Sequence, residues 1–374
     1  MDLVICNQSA NYLMVDTAKA FTESDRYERI ILLVGNPVQV KDAEKYGIEI
    51  ASITPYNRKS IITRFSSWIK GTFDIITTIN RRYRDSEVFI VSNPPTMTIF
   101  PRFCSNKYST LIYDVYPDGI VSGGFVTEKN WIYKLWKKDA INFYKNAQHI
   151  YTISDGMKNK VGKYCSGKFV EVVPLWYNRN LDCIDKKDNV FLKEQNLSDN
   201  FVVLYSGNIG KGSNLALLVD IAEKLKHCKN IKFVVIGEGF EKKNVINSAE
   251  CKGLDNMVFL PYQSQEVLSH SLSAADLAYI AVEEKAGNVC VPSKTFNIIK
   301  TGSPILCVAS KNSSIAHLIE SYKIGKVFQQ DQVEAICAFI EQLSKDKAAQ
   351  DSFKENIKLA ADDYSPVNAL KYQI

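Results

Sequence analysis

A chain of 374 residues is too long for one ordinary core and suits two domains. Hydrophobic residues make up 46% and charged residues 23%, a soluble globular balance, and no apolar run reaches the ~20 residues of a membrane span. The net charge of +5 is too mild to argue for nucleic acid, but it is unevenly spread.

The chain opens "MDLVICNQSANYL", with no basic leader, so no signal peptide is expected. Cys6, Cys104, Cys165, Cys183, Cys228, Cys251, Cys290, Cys307 and Cys337 are scattered without a C-x-x-C pair. They read as reduced, mostly buried small hydrophobes in a cytoplasmic protein. In chain order, strands are predicted at Leu3–Cys6, Ile30–Val34, Ile48–Ile53, Val88–Ser92, Thr110–Val115, His149–Ile153 and Val170–Val173. A second series starts at Val202 and continues at Lys232–Ile236, Met257–Leu260, Leu277–Val282 and Pro304–Val308. Helical patterns fall between them, and this alternation predicts parallel sheets covered on both faces. The polar stretch Pro174–Asn200 separates the series, and its first part is the expected linker. The reading divides the chain into 1–178, joined by 363–374 crossing back, and 179–362.

Two basic stretches break the charge balance. From Asn57 to Ser86, Arg58, Lys59, Arg64, Lys70, Arg81, Arg82 and Arg84 outnumber Asp74 and Asp85, with Phe65, Trp68, Ile69 and Phe73 interleaved. From Lys129 to Lys145 five lysines face Asp139 alone, and Ile132, Leu135, Trp136 and Phe143 are spaced to share a helical face. Either segment can lie on an anionic membrane surface. For the second, the expected arrangement is the plainer one: apolar face on the core, lysines in water.

Chemistry enters at "YSGNIGKGSNL", where a β-branched run stops in glycines and a helix pattern follows. Such a turn points backbone N–H groups and a positive helix end at one place, a seat for an anion, although a glycine turn is also an ordinary tight connection. It is neither G-x-G-x-x-G nor a P-loop, which argues against a nicotinamide dehydrogenase or an NTPase. In open α/β sheets ligands bind beyond the carboxyl ends of strands, so the Gly207–Gly212 loop is expected to line a cleft between the domains. In "GNVCVPSKTFNIIKTGSPIL", Pro292 and Ser293 start a short helix, with Ser293 its expected cap, and Thr301-Gly302 ends it. Lys294 falls in the first turn, where the dipole disfavours a cation. An anion shared with Lys211 would relieve that, and so would plain solvation. Asp114 and Asp118 lie just past a strand end; they orient an acceptor hydroxyl or supply a base, or merely start a turn and cap a loop. His149, His227, His270 and His317 are far apart in sequence and no D-x-D pair occurs, so no metal site is expected.

These stretches, with "FVVIGEGFEKKNV", "NMVFLPYQSQEVLSHSLSAADLAYIAV" and "DVYPD", resemble the retaining glycosyltransferases of family 4. These have the GT-B fold, two Rossmann-like domains facing across a cleft, and the likeness is to the branch that builds bacterial surface polysaccharides: capsule, O-antigen and other lipopolysaccharide, exopolysaccharide. The likeness covers nearly all of the second domain and is thinner in the first. It implies a UDP- or GDP-linked sugar donor, a saccharide or polyprenyl-linked acceptor, and no nucleic acid. It also implies a cytoplasmic location, at the inner face of the membrane where the acceptor is lipid-linked. Donor contacts then fall to Gly207, Asn208, Gly210, Lys211, Glu238, Tyr262, Ser293, Lys294, Thr295 and Asn297. Acceptor-side contacts fall to Ser9 and Asn11, and catalysis to Lys211, Lys294, Asp114 and Asp118. In such enzymes a phosphate oxygen of the leaving group takes the acceptor's proton, so no strong protein base and no metal are required once cations neutralise the diphosphate.

The chain also departs from the family. Asn297 stands where the second glutamate of the family's pair contacts ribose, and Glu283 and Glu284 lie too early for the first. "NQSANYLM" replaces a Gly-Gly loop, and Tyr113 replaces a histidine. A nucleotide-sugar 2-epimerase of the same fold, or a nucleotide-sugar-binding protein without catalysis, are the alternatives. Acceptor-dependent release of nucleoside diphosphate separates the transferase from both.

Overall fold

The structure is a computed structural model that describes residues 1–57, 59–122, 126–282 and 291–372. Arg58, Cys290, Glu283 and Glu284, named above, lie outside the described residues. By contacts the chain divides into Met1–Leu175 with Pro366–Ile374, and Trp176–Ser365.

The first unit is built on strands β1 (Asp2–Asn7), β2 (Arg29–Val34), β3 (Glu49–Ser52), β4 (Glu87–Val91), β5 (Tyr108–Ile112), β6 (Ile150–Thr152) and β7 (Val170–Val172). They form a parallel sheet in the order β3-β2-β1-β4-β5-β6-β7, with Val4 beside Ile31 on one side and Val88 on the other. Its central strands read as unbroken apolar runs because both faces are covered, and Leu3 to Cys6, Ile31 to Val34 and Val88 to Val91 are all buried. The chain's last described turn returns to this unit: Tyr372 packs edge-on against Phe89 at 5.5 Å and Tyr151 at 5.1 Å.

The second unit repeats the plan with β8 (Phe201–Ser206), β9 (Ile231–Ile236), β10 (Met257–Leu260), β11 (Leu277–Ala281), β12 (Ile305–Val308) and β13 (Gly325–Phe328), in the order β10-β9-β8-β11-β12-β13. In both sheets the first strand of the unit is central and the strand order reverses beside it. That reversal opens the connections on either side and makes the carboxyl end of the strand a ligand position. Strand β13 was not predicted. It is a four-residue edge strand with only Phe328 buried, so no apolar run marks it.

Within Pro174–Asn200, Trp176, Phe191, Leu192 and Leu197 are buried, and the Asn189 amide donates to the His270 carbonyl at 2.8 Å. One further expectation is corrected. The helix Trp131–Asn146 sets Tyr133, Ala140, Phe143 and Tyr144 against the core, while Trp131, Ile132 and Leu135 remain exposed. The core therefore takes Ala140 and the rings of Tyr133, Phe143 and Tyr144, while Trp131 and the aliphatic residues face outward.

Candidate functional site

The turn after β8 is shaped by backbone packing. The Gly207 N–H donates to the Ile236 carbonyl at 2.9 Å and the Ile209 N–H to the Glu238 carbonyl at 2.8 Å, so the turns after β8 and β9 continue as a pair. Gly237 holds φ +146, and a Cβ there would run into the Gly207 carbonyl oxygen. Only glycine allows this approach. Lys211–Ser213 then forms one 3-10 turn, and Asn214, left-handed at φ 43, leads into the helix Leu215–Lys224. Two inward tyrosines support the loop from below. The Tyr205 hydroxyl donates to the Asn208 carbonyl at 2.6 Å and the Tyr279 hydroxyl to the Asn214 carbonyl at 3.0 Å. Burial pushes Tyr205 up to about 12 and Tyr279 higher still, so both remain protonated donors at neutral pH.

Lys294 opens the helix Lys294–Lys300, and its Nζ stands 3.9 Å from the centre of the Tyr205 ring. A Cβ on Gly207 would lie 3.7 Å from that Nζ, so the glycine leaves the ammonium open toward the turn. The ring's negative face favours a cation. Loss of water nonetheless lowers the lysine's pKa to about 7. An arriving anion would restore the charge. Lys211, Asn214, Ala281, Val308 and Gln329 line a cavity of about 440 Å³ at the carboxyl ends of β8, β11 and β12 and just past β13. That volume is in the range of small-molecule sites.

The remaining predicted donor residues differ in what holds them. The Gly210 carbonyl accepts from Ser213 Oγ at 2.5 Å, and Glu238 pairs with Lys242 at 2.7 Å. Tyr262 is 55% exposed, so its ring has room to stack on a planar ligand. Ser293 does not cap its helix: it already has helical dihedrals and makes no side-chain capping bond. Thr295 is buried, and its hydroxyl has no partner among the described residues. The Asn297 Oδ1 accepts from the Asn178 N–H at 2.9 Å, which ties the start of this unit to the Lys294 helix.

Asp114, Asp118, Ser9 and Asn11 belong to the first unit. Asp118 begins the short helix Asp118–Ser122. Its Oδ1 accepts from the Tyr164 hydroxyl at 2.6 Å and the Tyr133 hydroxyl at 3.0 Å, bonds that hold the side chain in place. Asn11 caps the helix Tyr12–Thr22, its Oδ1 accepting from the Leu13 N–H at 3.0 Å. The Ser9 N–H donates to Asn7 Oδ1 at 2.9 Å, and the Asp114 N–H to Ser92 Oγ at 3.3 Å.

Sequence reasoning missed Tyr205, Tyr279 and Gln8. An aromatic residue two places before Gly207 is a visible signal for the first, whereas the Gln8 contacts are long-range. Sequence spacing also hid a group of three: His227, Cys228 and Glu341 bring possible metal-ligand atoms within 4.8 Å of one another, apart from the cavity lining. Glu341 already pairs there with Lys345 at 2.7 Å. No described helix is long and apolar enough to cross a membrane.

Residues 186–360 match the family model described as "Glycosyl transferases group 1". The chain is 29% identical over 202 residues to "Putative colanic acid biosynthesis glycosyl transferase WcaI" of Escherichia coli K12, covering 53% of this chain and 49% of that one. It is 24% identical over 288 residues to "Probable glycosyltransferase WbjE" of Pseudomonas aeruginosa, covering 72% and 69%. The match thus spans about half the length of the first relative. Among solved structures, Anabaena HepE in complex with UDP and glucose superposes with a TM-score of 0.73 at 13% identity, covering 99% of this chain and 97% of that one. The chain therefore has the GT-B fold, two parallel-sheet α/β units, and its second half is similar to the group 1 glycosyl transferases.

Proposed function

We infer that the chain is a retaining family 4 glycosyltransferase. It moves a sugar from a UDP- or GDP-linked donor to a saccharide, free or on a polyprenyl carrier, in bacterial surface-polysaccharide synthesis. The observation that carries this reading is Lys294, a desolvated amine on the Tyr205 ring beside Gly207 at the open end of a central parallel strand. A nucleoside diphosphate gains negative charge as its bond to the sugar breaks. A preorganised cation that is poorly hydrated beforehand stabilises that charge without reorganising water. The names of the two relatives support a transferase, and the UDP and glucose held by HepE support a nucleotide-sugar donor.

In this reading Lys294 and Lys211 face the diphosphate, with Gly207, Asn208 and Gly210 forming the turn around it. Glu238, Tyr262, Ser293, Thr295 and Asn297 surround the nucleoside and sugar, and Asp114 orients the acceptor hydroxyl. Two cations replace a metal. The test is release of UDP or GDP from a panel of nucleotide sugars with and without saccharide or lipid-linked acceptors, in excess chelator. Acceptor-dependent release with EDTA present is the expected result. A panel in which neither UDP nor GDP raises the melting temperature, and no donor is consumed, overturns the reading.

A further inference from the structure

The two basic stretches singled out in the sequence lie side by side in the first unit. The helix Ile61–Arg82 and the helix Trp131–Asn146 enclose an apolar groove of about 380 Å³, with Ile69, Phe73 and Ile76 on one wall and Ile132, Leu135 and Trp136 on the other. Ile99 and Phe103 also line it. The helices are fixed to one another by a stack of rings: Trp68 meets Tyr116 edge-on at 5.7 Å, and Tyr116 stacks on Trp136 at 5.8 Å. The groove is therefore preformed rather than a gap between loose elements.

Its rim is what a soluble surface avoids. Phe73 is 67% exposed and Ile69 62%, and Phe103, Ile132 and Leu135, also exposed, line the same groove. Basic residues surround the patch. Lys70 adjoins Ile69, and Lys134 and Lys138 flank Leu135 on exposed positions, with Arg81 and Arg82 at the end of the first helix. Of the acids on these helices, Asp139 is paired with Arg102, whose Nε donates to it at 2.8 Å, and Asp74 is turned to the Thr54 N–H at 2.8 Å and its hydroxyl at 2.6 Å but keeps its charge. Against that single charge stand Lys70, Lys134, Lys138, Arg81 and Arg82, so the face is positive.

We propose that this face is a docking surface for an anionic lipid bilayer, with the exposed apolar side chains entering the headgroup–acyl boundary and the lysines and arginines meeting anionic headgroups. Charge decides between occupants. A second copy of the chain packed on this face would set Lys70, Lys134 and Lys138 against cations of its partner, whereas an anionic bilayer matches both the apolar centre and the basic rim. The lysine stems add apolar area while their ammonium groups remain in the aqueous headgroup layer. No described helix can span the bilayer, so contact is at its surface. The proposal does not depend on the donor site, and its readout involves no turnover, so either reading can fail alone.

The test is co-sedimentation of the full chain with phosphatidylcholine vesicles, with and without phosphatidylglycerol. Binding is expected only with phosphatidylglycerol, at low salt, and is lost at about 1 M salt, where the Debye length shrinks to about 3 Å. Lys134→Gln with Lys138→Gln weakens it about thirty-fold. Phe73→Ser with Leu135→Ser weakens it at least ~10-fold. Both double variants melt with the parent, because the side chains changed are exposed. No binding at low salt, or equal binding by the parent and both variants, overturns the proposal. So does a concentration-dependent dimer that Phe73→Ser with Leu135→Ser disperses while vesicles bind nothing; that result would make the face a self-interface.

Discussion

The two units end their central strands in opposite ways. After β1 the turn is filled: Gln8 is buried, its Nε2 donates to the Thr54 carbonyl at 2.8 Å and the Ser67 carbonyl at 2.7 Å, and a Cβ on Gly71 would collide with its amide. After β8 the equivalent turn has Gly207 against Gly237, with Lys294 beside it and a cavity beyond. Both sheets share one topology and one switch point, so topology alone offers two ligand positions. Side chains decide which is open. In the first unit a glutamine takes the backbone hydrogen bonds around the turn, and in the second the glycines leave room for an anion and a cation to meet it.

The largest effect expected from this contrast is on Lys294. Lys294→Ala lowers turnover about 10²–10³-fold, roughly 2.7–4 kcal/mol of transition-state stabilisation, without loss of fold. Lys211→Ala lowers it too. Turnover within a few-fold of the parent in both purified variants removes the open turn from the chemistry. Gly237→Ala and Gln8→Leu come next and sharpen the comparison from its two sides. Gly237→Ala costs about 1–3 kcal/mol in urea denaturation, because the side chain meets the Gly207 carbonyl at a φ suited to glycine. Gln8→Leu costs a similar ~1–3 kcal/mol, by removing the two buried hydrogen bonds of its amide, while UDP affinity is unchanged. If Gln8→Leu abolishes UDP binding, the filled turn is a ligand site after all and the contrast fails.

A smaller effect follows from the lowered pKa of Lys294. Free, the amine titrates near 7; beside a diphosphate its charged form is favoured and its pKa rises. Binding at pH 8 thus takes up a proton, and UDP affinity falls as pH rises above 7, by at most about tenfold per unit. Calorimetry in two buffers of different ionisation enthalpy measures the uptake, and Lys294→Met flattens the profile. The smallest effect is expected at Asn11, where Asn11→Ala lowers stability by about 1 kcal/mol through loss of the helix cap. An acceptor KM that rises with no change in melting temperature would reverse that assignment.

The fold was legible wherever burial on both faces left a continuous apolar run, as in Ile30–Val34 or Val202–Tyr205. It was illegible at Gly325–Phe328, an edge strand that needs no such run. The site was legible in part. Glycines at Gly207 and Gly237 mark backbone approach by their residue type, and Lys294 was conspicuous because its place in a first turn is unfavourable. The Ser293 cap failed for a local reason: serine precedes a helix without capping it when its own dihedrals are already helical. The apolar residues of Trp131–Asn146 have helical spacing, but spacing cannot say which of two apolar faces the core accepts.

By itself the sequence determined two alternating strand–helix series, the glycine turn between β8 and its helix, and the excess of positive charge in the first half, because each is written in neighbouring residues and in local periodicity. Only the tertiary structure decided that Lys294 rests on the Tyr205 ring, that Gln8 fills the turn after β1, and that two separate basic helices border one apolar groove. Those are meetings of residues distant along the chain, fixed by sheet order and by the packing of side chains into limited volume, and they leave no trace in any short stretch of sequence.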